Sequence, residues 1–521
     1  MGKNVDVFVG NRVTTLGQPY NYDKLIPFWQ HEVQNWFFIK KKFQYFEKKH
    51  GKWKVKYRWD GKIKFLKHDR LPTGLFWATY RDIEKALHKR FRIHNESSTP
   101  VKRKSKYWLK SEGKYSFQND CVDVMLGACN RGMGGLILNA TGSGKTRIAA
   151  MFASRVDCDI LFVVDQLNLL EQAKKDIGKH LGEKIGKVGE SKFHLERVTV
   201  ATRQTLAKHT KDYKFMAWFK SIQVVFIDEI HEQMNKSNFK IMQAAKPYIV
   251  FGLTATLKLT QKPTRLKAWS LTGPVLYSYP LLKGMEDQVL SRGVAVFVEY
   301  DNSIRETGAT DRSEAYVDRI VTNEERNHLV GRLVKRAHKK GKYVIVLVDR
   351  IKHLERLSRR LDQERIKHKI AAGQFKGEKL RTKDRARDTE KFEQGKFRVI
   401  LANKVFKKGV DIKRLDVVIN AAGLGSQNDA VQVFGRGIRK HADKFGLLYF
   451  DISDTDRFDA VRKYSKKSEK RNWFSEAAKK RKRALKKVGI PIVQTQSNHS
   501  TRTIFKLGEK ELSKLKRSLH G

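Results

Sequence analysis

Asn139-Ala140-Thr141-Gly142-Ser143-Gly144-Lys145-Thr146 decides the fold. An apolar run, Gly135-Leu136-Ile137-Leu138, precedes it, and a helical pattern from Arg147 to Phe152 follows. Strand, glycine-rich turn and helix start, in that order, are the setting of a phosphate-binding loop. Asn139 stands where the pattern G-x-x-x-x-G-K-T opens with glycine, while Gly142 to Thr146 is intact. Glycines are needed because backbone N–H groups must turn inward around phosphate oxygens with no Cβ in the way. The helix N-terminus adds partial positive charge, Lys145 reaches the β- and γ-phosphates, and the Thr146 hydroxyl holds Mg2+.

From Tyr115 onward strands and helices alternate, which implies a parallel sheet. Ile160 to Val164 leads into Asp165 to Gln172, and Val198-Thr199-Val200 into Ala201-Thr202-Arg203-Gln204-Thr205. Val224 to Ile227 leads into Asp228-Glu229-Ile230-His231, and Ile249 to Leu253 into Thr254-Ala255-Thr256. Each polar cluster follows the carboxyl end of a strand, the edge where open α/β sheets bind ligands. Asp228 is placed to share the Mg2+ shell and Glu229 to orient and deprotonate an attacking water. His231 either couples to the next cluster or is an ordinary loop histidine. Phe117-Gln118 sits just ahead of the loop, where an amide can read an adenine edge as donor and acceptor together.

Pro274 to Arg292 reads as a connector to a second αβ series. Its strands are Tyr343 to Val348, Arg398 to Ala402, Val417 to Asn420 and Leu447 to Phe450, the last closing the sheet. Lys352 to Leu361 is a helix, and Gln432 to Arg439 another. This half has no phosphate loop of its own. Arg436 and Arg439 fall one helical turn apart on the same face, a pairing suited to a γ-phosphate or, equally, to surface ion pairs.

Ahead of the loop, residues 1 to about 105 form a small domain of their own. Lys54 to Phe65 alternates on both sides of Asp60-Gly61, which predicts a β-hairpin with a three-residue loop, Trp59 to Gly61. That register puts Val55, Tyr57, Ile63 and Phe65 on one face and Lys54, Lys56, Arg58, Lys62 and Lys64 on the other. The cationic face is a phosphate-binding ribbon, or a solvated face whose lysines discourage edge pairing. Leu75-Phe76-Trp77 reads as a short strand, Asp82 to Phe91 as a helix with Ile83, Leu87 and Phe91 inward, and Asn95 to about Lys114 as a linker. After about residue 461 the chain is strongly basic. Lys479-Lys480-Arg481-Lys482-Arg483 and Lys486-Lys487, with Trp473 and Phe474 interleaved, either track phosphates or stay solvated. Leu512, Leu515 and Leu519 mark a short terminal helix.

The chain has 521 residues, room for about three domains. Its formal net charge is +53, far beyond what solubility requires. Nucleic acid is the polyanion that such a surface fits first, an anionic membrane second. No apolar run is long enough to span a bilayer and no signal-peptide core opens the chain, which favours a soluble protein. Cys121, Cys129 and Cys158 read as reduced packing residues of a cytosolic chain.

In the order of these clusters, residues 115–451 resemble the superfamily 2 helicases. The resemblance implies an α/β fold: two tandem RecA-like domains with parallel sheets, preceded by a small α+β domain. Gln118 resembles the adenine-reading Q motif, and Gly142 to Thr146, with Thr141, motif I. Asp165 to Gln172 resembles motif Ia, with Asp165 where proline is often seen. Thr202 to Thr205 resembles motif Ib, which makes Thr202 and Gln204 nucleic-acid contacts. Asp228 to His231 is a DExH-type motif II and Thr254 to Thr256 motif III. Asn403 through Gly409 and Asp411 resemble motif V, with Asn403 in place of the usual Thr or Ser. Gln432, Gly435, Arg436 and Arg439 resemble motif VI, with Arg436 or Arg439 as arginine finger and Val433 where Arg is frequent. The implied cofactors are ATP and Mg2+.

A second block, Trp59 to Leu66 with Arg70 to Leu75, resembles the phage UvsW-type helicases, which unwind forks and Holliday junctions in recombination and repair. The expected organisation is therefore 1–105, nucleic-acid binding; 106–285, ATP binding; 286–460, the second RecA-like domain; and 461–521, a basic tail. The expected activity is an ATP-dependent helicase or translocase on branched DNA, acting in the cytoplasm, a host's if phage-encoded. A DExH-type RNA helicase, and an annealing or packaging protein with secondary ATPase activity, are the alternatives.

Overall fold

The computed structural model describes residues 5–16, 26–32, 44–49, 52–57, 62–66, 69–88, 90–100, 108–257, 259–301, 311–375, 377–380, 382–403, 412–423, 427–455, 458–462, 465–471 and 473–517. Contacts divide the chain between Ser278 and Tyr279, with Ala140–Ser143 of the glycine loop counted in the second unit. Among the described residues no helix is long and apolar enough to cross a membrane.

The first unit opens with a small mixed sheet of β1 (Val5–Val9), β2 (Val13–Leu16), β3 (Arg70–Pro72) and β4 (Phe91–Asn95), in the order β3-β2-β1-β4. The β1–β4 pair is parallel and the other two are antiparallel. Helix α1 (Thr73–Leu87) covers it. Leu75, Phe76 and Ile83 are fully buried, at helical spacing, so the short strand expected at Leu75–Trp77 is instead the first turn of a helix. Three apolar residues in a row suit either element; here the buried positions continue at helical spacing to Ile83. The helix ends when His88 turns left-handed (φ 51°), and Phe91 begins a strand rather than extending the helix.

Among the described residues, the two strands expected to pair across Asp60-Gly61 take other partners, and Arg58 to Gly61 lie outside the described residues. Lys52–Tyr57 pairs with Gln44–Lys49, and Lys62–Lys64 with Gln30–Glu32, both antiparallel. Lys49 stands opposite Lys52. The alternation is real, but strands of the same period compete for one partner. The side chains of Lys54, Lys56, Arg58 and Lys62 lie outside the described residues; Lys64 is exposed.

The large sheet of this unit has eight strands: β5 (Gly135–Asn139), β6 (Asp159–Val164), β7 (Gly186–Gly189), β8 (Lys192–His194), β9 (Val198–Thr202), β10 (Ile222–Ile227), β11 (Ile249–Thr254) and β12 (Val275–Tyr279). Their order is β8-β7-β9-β6-β10-β11-β5-β12. Pairs β9–β6, β6–β10, β10–β11 and β11–β5 are parallel. Both faces are packed, which is why these strands are runs of Val, Ile, Leu and Phe rather than alternating. Phe152, Phe162, Phe226 and Phe251 pack against one another, Phe152 edge-on to Phe226 and Phe251, each worth about 2–3 kcal/mol of burial. Val275–Tyr279, read from sequence as connector, is the edge strand β12.

The second unit has a seven-stranded sheet: β13 (Gly293–Tyr300), β14 (Val344–Leu347), β15 (Lys369–Ala371), β16 (Val399–Ala402), β17 (Val417–Asn420), β18 (Leu447–Asp454) and β19 (Ile492–Gln496). The order is β15-β16-β14-β17-β18-β13-β19, and every pair is parallel. Both large sheets are RecA-like, as the motif order implied. Leu447–Asp454 does not close this sheet, because β13 and β19 lie beyond it. The stretch read as a basic tail supplies β19 and two helices, Trp473–Lys487 and Thr501–Arg517, so most of it belongs to the second sheet's own packing. Leu519 lies outside the described residues.

Candidate functional site

The loop after β5 carries the strongest chemistry. Gly142 (φ 87°) and Gly144 (φ 89°) are both left-handed, the conformation that glycine adopts without penalty. Gly144 then caps helix α3 (Lys145–Ala153). The fully buried Ser143 hydroxyl donates to Ala140 O at 2.8 Å, which holds the turn closed. A Cβ on Gly144 would stand 2.5 Å from Gln118 Nε2, so the loop is also shaped by close approach. Lys145 Nζ lies 3.5 Å from Asn139 O and 3.7 Å from Glu229 Oε1.

Gln118 and Phe117 open helix α2 (Phe117–Cys129), both buried. Gln118 Oε1 accepts from the Ser111 hydroxyl at 2.6 Å. Arg147 Nε donates to the same hydroxyl at 3.0 Å and Arg147 Nη2 to Lys110 O at 2.9 Å. Ser111 and Arg147 therefore fix the Gln118 amide. Ser111 lies within the stretch read as a linker, yet it is buried and, with Lys110 O, belongs to this site. A lone serine in a polar stretch carried no periodic signal by which to find it.

Asp228 and Glu229 leave the end of β10. Glu229 is a non-glycine residue at φ 45°, a turn that costs about 1 kcal/mol and aims its carboxylate toward Lys145. Glu229 N donates to Asp228 Oδ1 at 3.0 Å. Burial, and then the Glu229 charge beside it, push the Asp228 carboxyl up to about 6, against the pull of Lys145. Gln233, fully buried, donates to Asp228 O and pins the turn from beneath. Gln233 lies beyond the cluster Asp228 to His231 and carried no sequence signal of its own. His231 is not an idle loop residue, because its Nδ1 stands 2.8 Å from Thr254 Oγ1.

The next two strand ends are tied together. Asp165 Oδ1 accepts from Arg203 Nη2 at 2.9 Å, and Asp165 O from Gln204 Nε2 at 2.8 Å. This gives Asp165 a role where proline is often seen: it joins the loops after β6 and β9. Thr202 is buried and bonded to Thr205 (Oγ1 to Oγ1, 2.8 Å), so its hydroxyl is engaged within the protein. Gln204 is exposed.

In the second unit Gln432 and Arg436 lie on helix α5 (Gln427–Gly437). Arg439 does not, since the helix ends two residues earlier. Its backbone is held instead by Ser291 Oγ, which donates to Arg439 O at 3.3 Å, and by Lys444 Nζ at 3.2 Å. Burial pulls the Lys444 ammonium down to about 7. Gly409 and Asp411 lie outside the described residues. Among the described residues no cluster of three or more His, Cys, Asp or Glu could hold a metal by itself. The three cysteines are buried and unpaired by disulfide; burial pushes Cys121 and Cys158 up to about 12.

Two family models match the chain: the type III restriction enzyme res subunit over residues 102–259, and the helicase conserved C-terminal domain over residues 325–441. The ATP-dependent DNA helicase uvsW of Enterobacteria phage T4 is 26% identical over 432 residues, 76% of this chain and 82% of that protein. A protein of Acanthamoeba polyphaga mimivirus, provisionally named an ATP-dependent RNA helicase, is 24% identical over 368 residues, 68% of this chain and 66% of that one. Among solved structures, a point variant of Saccharomyces cerevisiae Dbp5 bound to RNA and ADP with beryllium fluoride superimposes with a TM-score of 0.51 at 12% identity, covering 79% of this chain and 98% of that one.

Proposed function

The chain belongs to the superfamily 2 helicases, ATP hydrolases coupled to nucleic-acid unwinding, and from that premise we propose that it works on branched DNA, forks and four-way junctions, in recombination, repair or replication. The observation that carries this is the reach of the likeness to the phage DNA helicase. It extends over 82% of that protein, well beyond the two segments that the family models match. The block Trp59 to Leu75 adds the phage-type N-terminal signature.

In this reading ATP is held by Thr141, Gly142, Ser143, Gly144 and Lys145, with Phe117 and Gln118 at the base. Gln432, Gly409 and Asp411 serve the nucleotide from the second unit's motifs, and Arg436 and Arg439 are the cations offered to the γ-phosphate. Two carboxylates, Asp228 and Glu229, face one ammonium, Lys145, and the excess negative charge fits a divalent cation. Thr146 and Asp228 would hold Mg2+, which when bound offsets charge on the phosphates. Glu229 orients and deprotonates the attacking water. The cationic residues Lys54, Lys56, Arg58, Lys62 and Lys64, and Thr202 and Gln204 where β9 ends and the next helix begins, are the proposed nucleic-acid contacts, Thr202 with its hydroxyl already engaged by Thr205.

The mimivirus relative favours a second reading, an RNA helicase. A panel of fork, four-way junction, single strand and RNA duplex, scored for ATPase stimulation and unwinding, separates the two. Lys145→Ala and Glu229→Gln should each abolish stimulated ATP hydrolysis and leave DNA binding in place. Undiminished turnover in either variant removes the proposed site. Strand annealing that survives Lys145→Ala, without unwinding by the parent, would favour the annealing or packaging role instead.

A further inference from the structure

We propose that one face of helix α6 (Trp473–Lys487) is a phosphate grip for duplex DNA, held in place by a buried ion pair; this rests on the reading of nucleic acid as substrate. The helix is sharply two-sided. Phe474, Ala477, Ala478, Arg481 and Leu485 are buried, while Lys479, Lys480, Arg483, Lys486 and Lys487 are exposed. Among the described residues those five cations make one ion pair, Lys479 Nζ to Glu476 Oε1 at 3.1 Å. Lys479 first, then Arg483 and Lys480, hold the Glu476 carboxyl below its ordinary range, so the only acid of the face is already spent. The ridge from Lys479 to Lys487 rises about 12 Å. Over that length duplex DNA carries about seven phosphate charges.

Arg481 interrupts the cationic run by pointing inward. Its Nε and Nη2 donate to Asp451 Oδ2 and Oδ1 at 2.8 and 2.7 Å, and its Nη1 to Gly423 O at 2.8 Å. Both partners are almost fully buried. Asp451 also accepts from Asn420 Nδ2 at 2.9 Å and Ser453 Oγ at 2.9 Å. The helix is thereby fastened to the carboxyl-end side of β17 and β18, and it packs along α5, which carries Arg436. Buried ion pairs add little net stability over apolar substitutes, but they do fix geometry. Here the geometry fixed is the direction in which five cations face, and any load on them is transmitted to the element that bears Arg436.

Helix α7 (Thr501–Arg517) of the same unit is a built-in control. Arg502, Lys506 and Lys510 are exposed at i, i+4 spacing, but acids intervene: Glu509 pairs with Lys340 at 2.6 Å and Glu511 with Lys514 at 3.2 Å. The experiment removes three charges from each helix: Lys480→Gln/Arg483→Gln/Lys487→Gln from α6, and Arg502→Gln/Lys506→Gln/Lys510→Gln from α7. Binding of the full chain to a forked duplex is followed by fluorescence anisotropy against salt, together with the DNA concentration for half-maximal ATPase stimulation.

The α6 triple should flatten the slope of log K against log salt by about 2–3, close to 0.9 per lost contact, and raise the half-maximal DNA concentration about tenfold or more. The single change Arg483→Gln should flatten it by about 0.9, which keeps the test open if the triple folds poorly. The α7 triple should leave both readings at the parent's values. An α6 slope equal to the parent's, or equal flattening by both triples, overturns the grip. Absence of any stimulation of the parent by DNA overturns the functional reading itself, a distinct result.

Discussion

The imidazole Nδ1 of His231 stands 2.8 Å from the Thr254 hydroxyl, and that hydroxyl stands 3.4 Å from Glu229 Oε2. Thr254 ends β11 and His231 follows the neighbouring β10, so a polar chain joins two adjacent strand ends. Thr254 Oγ1 also accepts from Thr256 N at 3.1 Å, which extends the chain along the loop beyond β11.

His231→Ala and Thr254→Val should each reduce nucleic-acid-stimulated ATP turnover about 3- to 30-fold, the rate equivalent of one misplaced hydrogen bond. Combined, they should cost little more than either alone, because they break one chain. Losses that multiply in the double variant would show the two residues acting separately.

Asp228 makes the site sensitive to acid. Its folded pKa, about 6, lies above the ordinary 3.8, so the protonated form favours the fold. The stability from this group is complete below about pH 3.8 and is lost as pH rises through about 6. Without nucleotide, Asp228→Asn should therefore raise the melting temperature at pH 7, by the equivalent of about 1–3 kcal/mol, and leave it unchanged near pH 4. Calorimetry showing equal gains at both pH values would remove this account.

The Arg481–Asp451 pair should behave as a unit. Arg481→Ala strands a buried carboxylate and should destabilise the chain by about 3–5 kcal/mol. Asp451→Ala strands a guanidinium at similar cost, and the double variant should lose much less than the sum. Chemical denaturation of the four proteins closes the cycle; strict additivity would mean that the two charges do not depend on each other.

Gly74 decides how the N-terminal sheet sits on the rest of its unit. Its Cα lies so close to helix α4 (Lys262–Leu271) that an added Cβ would stand 2.4 Å from Trp269 O. Leu266 and Trp269 of that helix belong to the same apolar cluster as Val7, Leu75 and Phe76. Gly74→Ala should cost about 1–3 kcal/mol and speed proteolysis within the first hundred residues. Cleavage kinetics identical to the parent's would show that the helices part without penalty.

Readings that rested on a glycine-rich turn or a polar pair at the end of a long apolar run agree with the structure. The strand, turn and helix around Gly142 to Thr146, and the carboxylates after Ile227, needed only a local apolar run and the glycines beside it. Readings that depended on a distant partner did not. Lys54 to Tyr57 carried the right alternation, yet nothing in it named Gln44–Lys49 as its mate. Arg481 looked like one cation among five, and only Asp451, far away in sequence, turns it inward. Ser111 and Gln233 matter through what they touch, and side-chain identity alone does not announce that. Leu75-Phe76-Trp77 was too short for its period to be told apart.

The parallel pairing of β13 with β19, Ala295 beside Ile492, has a consequence for biogenesis. A ribosome adds about 5–20 residues per second. After Ala295 is made, its outer neighbour is thus delayed by about 10–40 seconds. Until then one side of Gly293–Tyr300 stays unzipped, even after its other neighbour, Leu447–Asp454, has been made. A nascent chain of this kind invites chaperone attention at that flank, and stalling translation shortly before Ile492 should yield a product that aggregates through it.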